Sequence, residues 1–208
     1  LLNHARLRGR PALFVLAADH GEEFGEHGGR YHGTTLYEEQ VRVPLFFTYL
    51  PGQAGGLQPL PPQVIEQPVG LIDVAPTLLW LLDVVPSLRM SGRDLGPWLR
   101  GAPPGQPRRA LPRWPVFADL GRKKMVVQGD DKLLCDLSQD LCALYDLQKD
   151  PGEQRDLSQR GAAFAPRVQR LRAALDRYLT EASRFELAAQ VPAEAALDGE
   201  AQKALLRG

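Results

Sequence analysis

Cysteine, methionine and tryptophan are scarce in this chain, at two, two and three of 208 residues. Cys135 and Cys142 lack the spacing of a metal-binding motif, which excludes a thiolate zinc site. An excess of charge of either sign is also absent, since 25 Lys and Arg balance 25 Asp and Glu. That balance leaves no electrostatic footprint for nucleic acid or an anionic membrane surface, and no nucleic-acid partner is expected. No apolar run approaches the roughly 20 residues that a transmembrane helix needs. There is no Gly-x-Ser-x-Gly elbow and neither cysteine has a histidine beside it, so no nucleophile declares itself. No signal peptide is visible either. The chain opens at Leu1 in what reads as a helix, and any targeting segment would lie upstream.

What is present is concentrated. Three of the four histidines, His20, His27 and His32, fall between Ala17 and Thr35, together with Asp19, Glu22, Glu23, Glu26 and five glycines. The apolar run Ala12-Leu-Phe-Val-Leu-Ala17 leads into this stretch. It reads as a buried strand delivering ligands into a loop at its C-terminal end, where open α/β sheets place their chemistry.

The 208 residues are enough for one domain with a core, or for one domain plus a small appendage. Residues 1–10 read as the end of an amphipathic helix stopped by Gly9. Thr34 to Gln40 suits a short helix, and Val41 to Tyr49 a second strand with Pro44 at an edge or bend. Residues 51–62 read as a Pro/Gly-rich surface loop. Asp73 is placed to cap a helix with Pro76 in its first turn and Leu78, Leu79, Leu81 and Leu82 on its buried face. Five prolines and three arginines between Ala102 and Pro115 mark a boundary. Residues 1–101 are therefore expected to form the main unit and 102–115 a linker. A small antiparallel sheet with a packing helix is expected over 116–183, and a closing helix or tail over 184–208. The small sheet is expected to use strands at 115–119, 122–128, 131–137 and 141–147, with the helix over 166–179. Cys135 and Cys142 flank Ser138-Gln139. A tight hairpin there puts them within disulfide reach, while two reduced thiols in a small core are an equal alternative.

Within the histidine stretch, adjacent Asp19 and His20 can both ligate one divalent cation, or Asp19 can cap a turn while His20 bonds to backbone. The glycines and the two further histidines favour a metal or anion site. His32, before Gly33-Thr34-Thr35, can donate to an anionic oxygen or protonate a leaving group, or be a surface histidine. His27, between Glu26 and Gly28, presents the same two readings. Glu22 and Glu23 suit orienting a histidine or capping the turn. Lys123, Lys124 and Lys132 read most simply as solvated strand residues. An isolated Asp-His pair leaves most of a six-coordinate ion open, so the residues describe half of a metal-dependent hydrolytic site.

The run Asp19-His-Gly-Glu22, then His32-Gly-Thr-Thr-Leu-Tyr-Glu-Glu-Gln-Val-Arg-Val-Pro-Leu45, resembles the C-terminal half of a sulfatase of the alkaline phosphatase superfamily. Val69 to Leu78, Ser91-Gly-Arg-Asp-Leu95, Lys132-Leu-Leu and Leu144-Tyr-Asp-Leu-Gln-Lys-Asp-Pro-Gly-Glu153 continue the likeness in order, as does Ala196-Leu-Asp198. The resemblance implies an α/β fold: the C-terminal part of an alkaline-phosphatase-like α/β sandwich with a small antiparallel subdomain. It implies that Asp19 and His20 ligate one divalent metal ion. Ca2+ is the family's usual ion, with Mn2+ or another brought into range by His20 where many members have Asn. His32 stands where the family commonly has a lysine, and would steady charge on the ester or act as general acid. Lys132 would correspond to a lysine near the substrate cleft. The Cys/Ser-x-Pro-x-Arg nucleophile motif, source of formylglycine, is absent, as is the family's second acidic ligand pair. The resemblance therefore implies a partner, the missing N-terminal half, and inactivity of these residues alone. The implied substrate is a small-molecule or glycan sulfate ester, or a phosphate ester if the chain is a phosphoryl-transfer member such as a phosphonate hydrolase or phosphoglycerol transferase. A non-catalytic remnant serving as a binding module is the reading from another class. A periplasmic, extracytoplasmic or membrane-associated location is favoured.

Overall fold

A computed structural model of the protein describes residues 11–50, 59–86, 90–101 and 110–189. The expected helix over 1–10, the closing segment from Ala196, and most of the 51–62 loop and the 102–115 linker lie outside the described residues. Two sheets organise the rest. Strands β1 (Ala12–Ala17) and β2 (Leu45–Leu50) pair antiparallel, Ala12 opposite Leu50 and Ala17 opposite Leu45. Strands β3 (Val116–Leu120), β4 (Lys123–Gln128), β5 (Asp131–Asp136) and β6 (Leu141–Asp146) form a four-stranded antiparallel sheet in sequence order. The helices are α1 (Glu38–Val41), α2 (Val74–Leu81), α3 (Gly96–Leu99) and α4 (Ala165–Ala189).

The four-stranded sheet follows from period-two alternation, and both of its faces are covered. Val126, Leu133, Cys135 and Leu144 point to one face and pack on Leu171, Ala174 and Leu175 of α4. Each such fully buried aliphatic side chain contributes about 1.5–3 kcal/mol. Met125 and Val127 point to the other face, where they pack with Leu36 and Val41 from the segment that follows the histidines. The histidine-bearing loop thus rests on the sheet.

Three local differences from the sequence reading have physical causes. β1 is half-buried rather than buried, and Leu16 is exposed, because β2 is its only strand partner among the described residues. The first helix begins at Glu38 rather than Thr34. Gln40 Oε1 accepts from the Gly33 and Thr35 N–H groups and holds that stretch out of a helix. Asp73 does not cap α2 with its side chain; its carboxylate accepts from Gly70 N (3.0 Å) and Arg93 N (2.7 Å), tying two loops together. Accordingly the buried residues of α2 are Thr77 and Leu81, whereas Leu78 and Leu79 are half-buried and Leu82 is exposed.

At the β5–β6 hairpin Cys135 lies opposite Cys142, with Cα atoms 4.1 Å apart, and the two form a disulfide. The bridge closes a short loop against the α4 core. In a chain-entropy account such a loop contributes about 2–3 kcal/mol. Cys142→Ser is expected to lower the unfolding free energy by that amount. Urea titration checks it, and reductant should then have no further effect on the variant.

Candidate functional site

The loop from Asp19 to Thr35 has its own polar centre, Glu23, which is 1 % exposed. Its carboxylate accepts from Gly29 N (2.6 Å), His27 N (3.2 Å) and the Gln40 amide (2.9 Å). Burial alone would raise this carboxyl, but those donors outweigh it and hold the group below its usual range. Gln40 completes the centre: its carbonyl takes Gly21 N at 2.8 Å, and its amide also donates to Thr35. Gly21 is required here, because a Cβ would stand 2.1 Å from the Glu39 carbonyl oxygen. Glu23 and Tyr31 exchange backbone hydrogen bonds at 3.1 and 3.0 Å, which closes the loop on itself. Tyr31 sits at φ 71°, and its ring faces solvent.

This framework brings His20 and His32 together as a stacked pair, ring centroids 3.9 Å apart. Both are exposed at the C-terminal end of β1. His20 Nδ1 lies 2.8 Å from the Gly21 carbonyl oxygen. Acting as donor there, Nδ1 leaves the Nε2 lone pair outward, the arrangement that metal-ligating imidazoles use. Asp19 Oδ1 is 3.8 Å from that Nε2, so two donor atoms lie within reach of one ion, and Asp19 is open to solvent. A cation fits this pair as two ligands of an open set. Among the described residues no cluster of three His, Cys, Asp or Glu side chains makes a fuller site. His32 Nδ1 stands 3.3 Å from both Glu22 carboxylate oxygens, which makes Nδ1 the donor and leaves Nε2 for a ligand.

The other two candidates occupy different surroundings. His27 turns away from the pair and is largely enclosed. Its ring stacks on Tyr37 at 3.6 Å, Nδ1 meets Glu39 Oε1 at 2.7 Å, and Nε2 meets the Glu153 carbonyl oxygen at 3.3 Å. Burial would lower its pKa, but the Glu39 bond, the Glu153 carbonyl and both carboxylates raise it above the ordinary 6.5. With a raised folded-state value, the stabilisation from His27 is complete below the unfolded value. It is lost as pH rises through the folded one. Thermal midpoints followed upward from pH 6.5, beside the His27 imidazole resonances, are expected to fall as His27 deprotonates; His27→Gln should flatten that limb.

Lys132 corrects the expectation of a solvated strand lysine, since its side chain is fully buried. Its ammonium hydrogen-bonds to Glu38 Oε1 at 2.9 Å and ion-pairs with Glu153 Oε1 at 2.9 Å. A buried charge needs such partners, and strand alternation alone does not reveal them. Lys124 is also partly covered and pairs with Asp119, and Lys123 donates to the Thr34 carbonyl at 2.7 Å. Sequence reasoning missed Glu153, Glu38 and Gln40, whose partners come mostly from distant segments.

Comparison with known proteins gives these positions a context. The sulfatase family model matches residues 2–84, a span that contains Asp19, His20, His27 and His32. A Delta 4,5-hexuronate-2-O-sulfatase of Bacteroides thetaiotaomicron is 28% identical over 178 residues, covering 83% of this chain and 35% of its own length. A solved 2-O GAG sulfatase superposes with a TM-score of 0.64 at 24% identity, over 85% of this chain and 38% of that one. A phosphonate monoester hydrolase of Silicibacter pomeroyi superposes with a TM-score of 0.60 at 23% identity, over 81% of this chain and 35% of that one. At these identities the two structural likenesses are of fold. The chain spans little more than a third of the length of these relatives.

Proposed function

From the match of residues 2–84 to the sulfatase family model, we propose that this chain supplies part of the site of a metal-dependent sulfate ester hydrolase acting on a sulfated glycan. The observation that carries the reading is the exposed His20–His32 stack at the end of β1, with Asp19 and Glu22 each oriented on one imidazole. Asp19 and His20 would hold a divalent cation, Ca2+ by family or Mn2+ through the imidazole. When bound there it would supply Lewis-acid polarisation of ester oxygens. His32 does the work of this chain's own residues. As an imidazolium, with Nδ1–H held by Glu22, it offers its Nε2–H to an ester oxygen as charge develops, or gives that proton to the departing alkoxide. The nucleophile belongs to residues outside this sequence, and these 208 residues alone bind a substrate without turning it over. The Cys135–Cys142 bridge supports an oxidising, extracytoplasmic location. No helix among the described residues is long and apolar enough to cross a membrane.

The named relative makes a 2-O-sulfated hexuronate the first ligand to test. In titrations of the chain, the His32 and His20 imidazole resonances are expected to move with the sulfated sugar. They should stay in place with the desulfated sugar, and His32→Ala should abolish the response. Equal shifts with both sugars, or none, would remove the sulfate ester from the proposal. A response to a phosphonate monoester instead would favour the phosphoryl-transfer member of the superfamily, whose fold is shared.

A further inference from the structure

The histidine-bearing loop touches the four-stranded sheet through a set of bonds that the hydrolytic chemistry does not use. Glu153 is their focus. It follows the Asp150-Pro-Gly turn, holds the left-handed conformation at φ 52°, and is 2 % exposed. A non-glycine residue in that conformation carries a conformational penalty that the surroundings must offset. Three contacts converge on it. Its carboxylate takes the Glu38 N–H at 2.6 Å, which is the first N–H of α1. The same carboxylate ion-pairs with Lys132, whose ammonium also holds the Glu38 side chain. Its carbonyl oxygen faces His27 Nε2.

The other bonds from the sheet reach the same segment. Lys123 holds the Thr34 carbonyl, two residues beyond His32. Tyr145, opposite Lys132 in the β5–β6 register, reaches the Tyr37 hydroxyl at 3.5 Å. Leu36 is buried with Met125 and Val127. From this anchored segment Gln40 reaches back to Glu23 and to the Gly21 N–H, beside His20. His27, stacked on Tyr37 and bonded to Glu39, ties the far side of the loop to the same anchor.

We propose that Glu153, Lys132 and Glu38, with His27, form a latch through which the antiparallel sheet sets the position of the loop carrying Asp19, His20 and His32. They are positioning residues, and the proposal rests on the site described above. None of the four is exposed, whereas the residues they place are. The latch holds the loop at two points, α1 and His27, which reach the two oxygens of the Glu23 carboxylate through the Gln40 amide and the His27 N–H. Two holds restrict both the translation and the rotation of a glycine-rich segment that would otherwise be free to vary.

The test is Glu153→Gln in the full 208-residue chain, which keeps the side-chain shape and removes the charge that Lys132 meets. Amide hydrogen exchange is read residue by residue, with the His20 and His32 imidazole resonances beside it. Loss of a charged hydrogen-bond partner is expected to speed exchange over residues 21–40 by roughly 10- to 100-fold, while the β4 and β5 ladder amides keep their protection. The imidazole resonances are expected to move or broaden. Leu171→Ala, on the opposite face of the sheet, is the control: it should weaken the sheet and α4 without selecting the loop. A uniform rise across sheet and loop in Glu153→Gln, or no change, overturns the latch. Should Glu153→Gln fail to fold, Glu38→Gln, with a partly exposed side chain, is read by the same criteria. The readout uses neither metal nor sulfated sugar. Failure of the hydrolase reading leaves the exchange pattern intact, and failure of the latch leaves the sugar response of His32 intact.

Discussion

Lys132→Ala is expected to lower the unfolding free energy by about 3–5 kcal/mol, the largest effect of any single change considered for this chain. The wild-type ammonium is buried between two carboxylates, each at 2.9 Å, and the Glu153 side chain is itself wholly buried. Removing the lysine strands that carboxylate without a counter-charge. Burial already raises the Glu153 carboxyl, with the Lys132 charge and hydrogen bond and the Glu38 N–H pulling it back, while the Glu38 charge adds repulsion. In the alanine variant the largest restraint on protonation is gone. Glu153 is therefore expected to take up a proton, which limits the loss at acidic pH and enlarges it near neutrality. Urea unfolding at two pH values checks both the size and the pH trend. A loss under about 1 kcal/mol, typical of exposed pairs, would mean that the triad is solvated and contributes little. Simultaneous replacement of all three charges by apolar residues is expected to recover most of the loss, since nothing is then left unpaired.

This lysine also shows where sequence reading reaches its limit. The small sheet was legible because alternation is a local property, and the strands lie within one residue of the expected bounds. The Cys135–Cys142 pairing was legible as one of two outcomes, because the hairpin register follows from the turn between them. Lys132 sits on a strand whose pattern says only which face it takes, not what covers that face. Its partners are 94 and 21 positions away, and no periodicity encodes such distances. Glu153 was visible only as part of a Pro-Gly turn, although its left-handed backbone and full burial make it central.

Within the histidine loop the same division holds. Composition marked the stretch, and the structure places His20 and His32 against each other. His27 looked equivalent to them in sequence, with an acid before it and a glycine after it. Tyr37, Glu39 and Glu153 enclose its imidazole, whereas the other two stay exposed. The fate of a histidine in a glycine-rich loop is set by what packs on the loop, and here that is a sheet formed some hundred residues later.

The open pair leads to the second large effect, on metal affinity. Titrated with Mn2+ alone, the chain is expected to bind through Asp19 and His20. Loss of either donor should weaken binding by roughly 100-fold, the upper end of what loss of an outer-sphere partner does. Asp19→Asn removes the charge and keeps a carbonyl oxygen, so it tests the electrostatic contribution. His20→Ala removes the nitrogen whose partner, Nδ1, is committed to the Gly21 carbonyl. His32→Ala is the informative contrast. Its Nδ1 faces Glu22, and its assigned work is on the ester, so Mn2+ affinity should stay within a few-fold of the parent while the response to sulfated sugar disappears. Electron spin-echo modulation distinguishes the cases directly, because a bound imidazole nitrogen imprints its coupling on the Mn2+ signal. That coupling is expected in the parent and in His32→Ala and absent in His20→Ala. If the nitrogen signal instead follows His32, the two imidazoles have exchanged roles: His32 ligates the metal and His20 faces the ester. Two donors leave most of an ion's coordination sphere to water or to other residues, roughly four to six of the six to eight positions around Ca2+. Affinity for Ca2+ is therefore expected to be weaker than for Mn2+, because the imidazole gives the softer ion an advantage that an oxygen-seeking cation does not share.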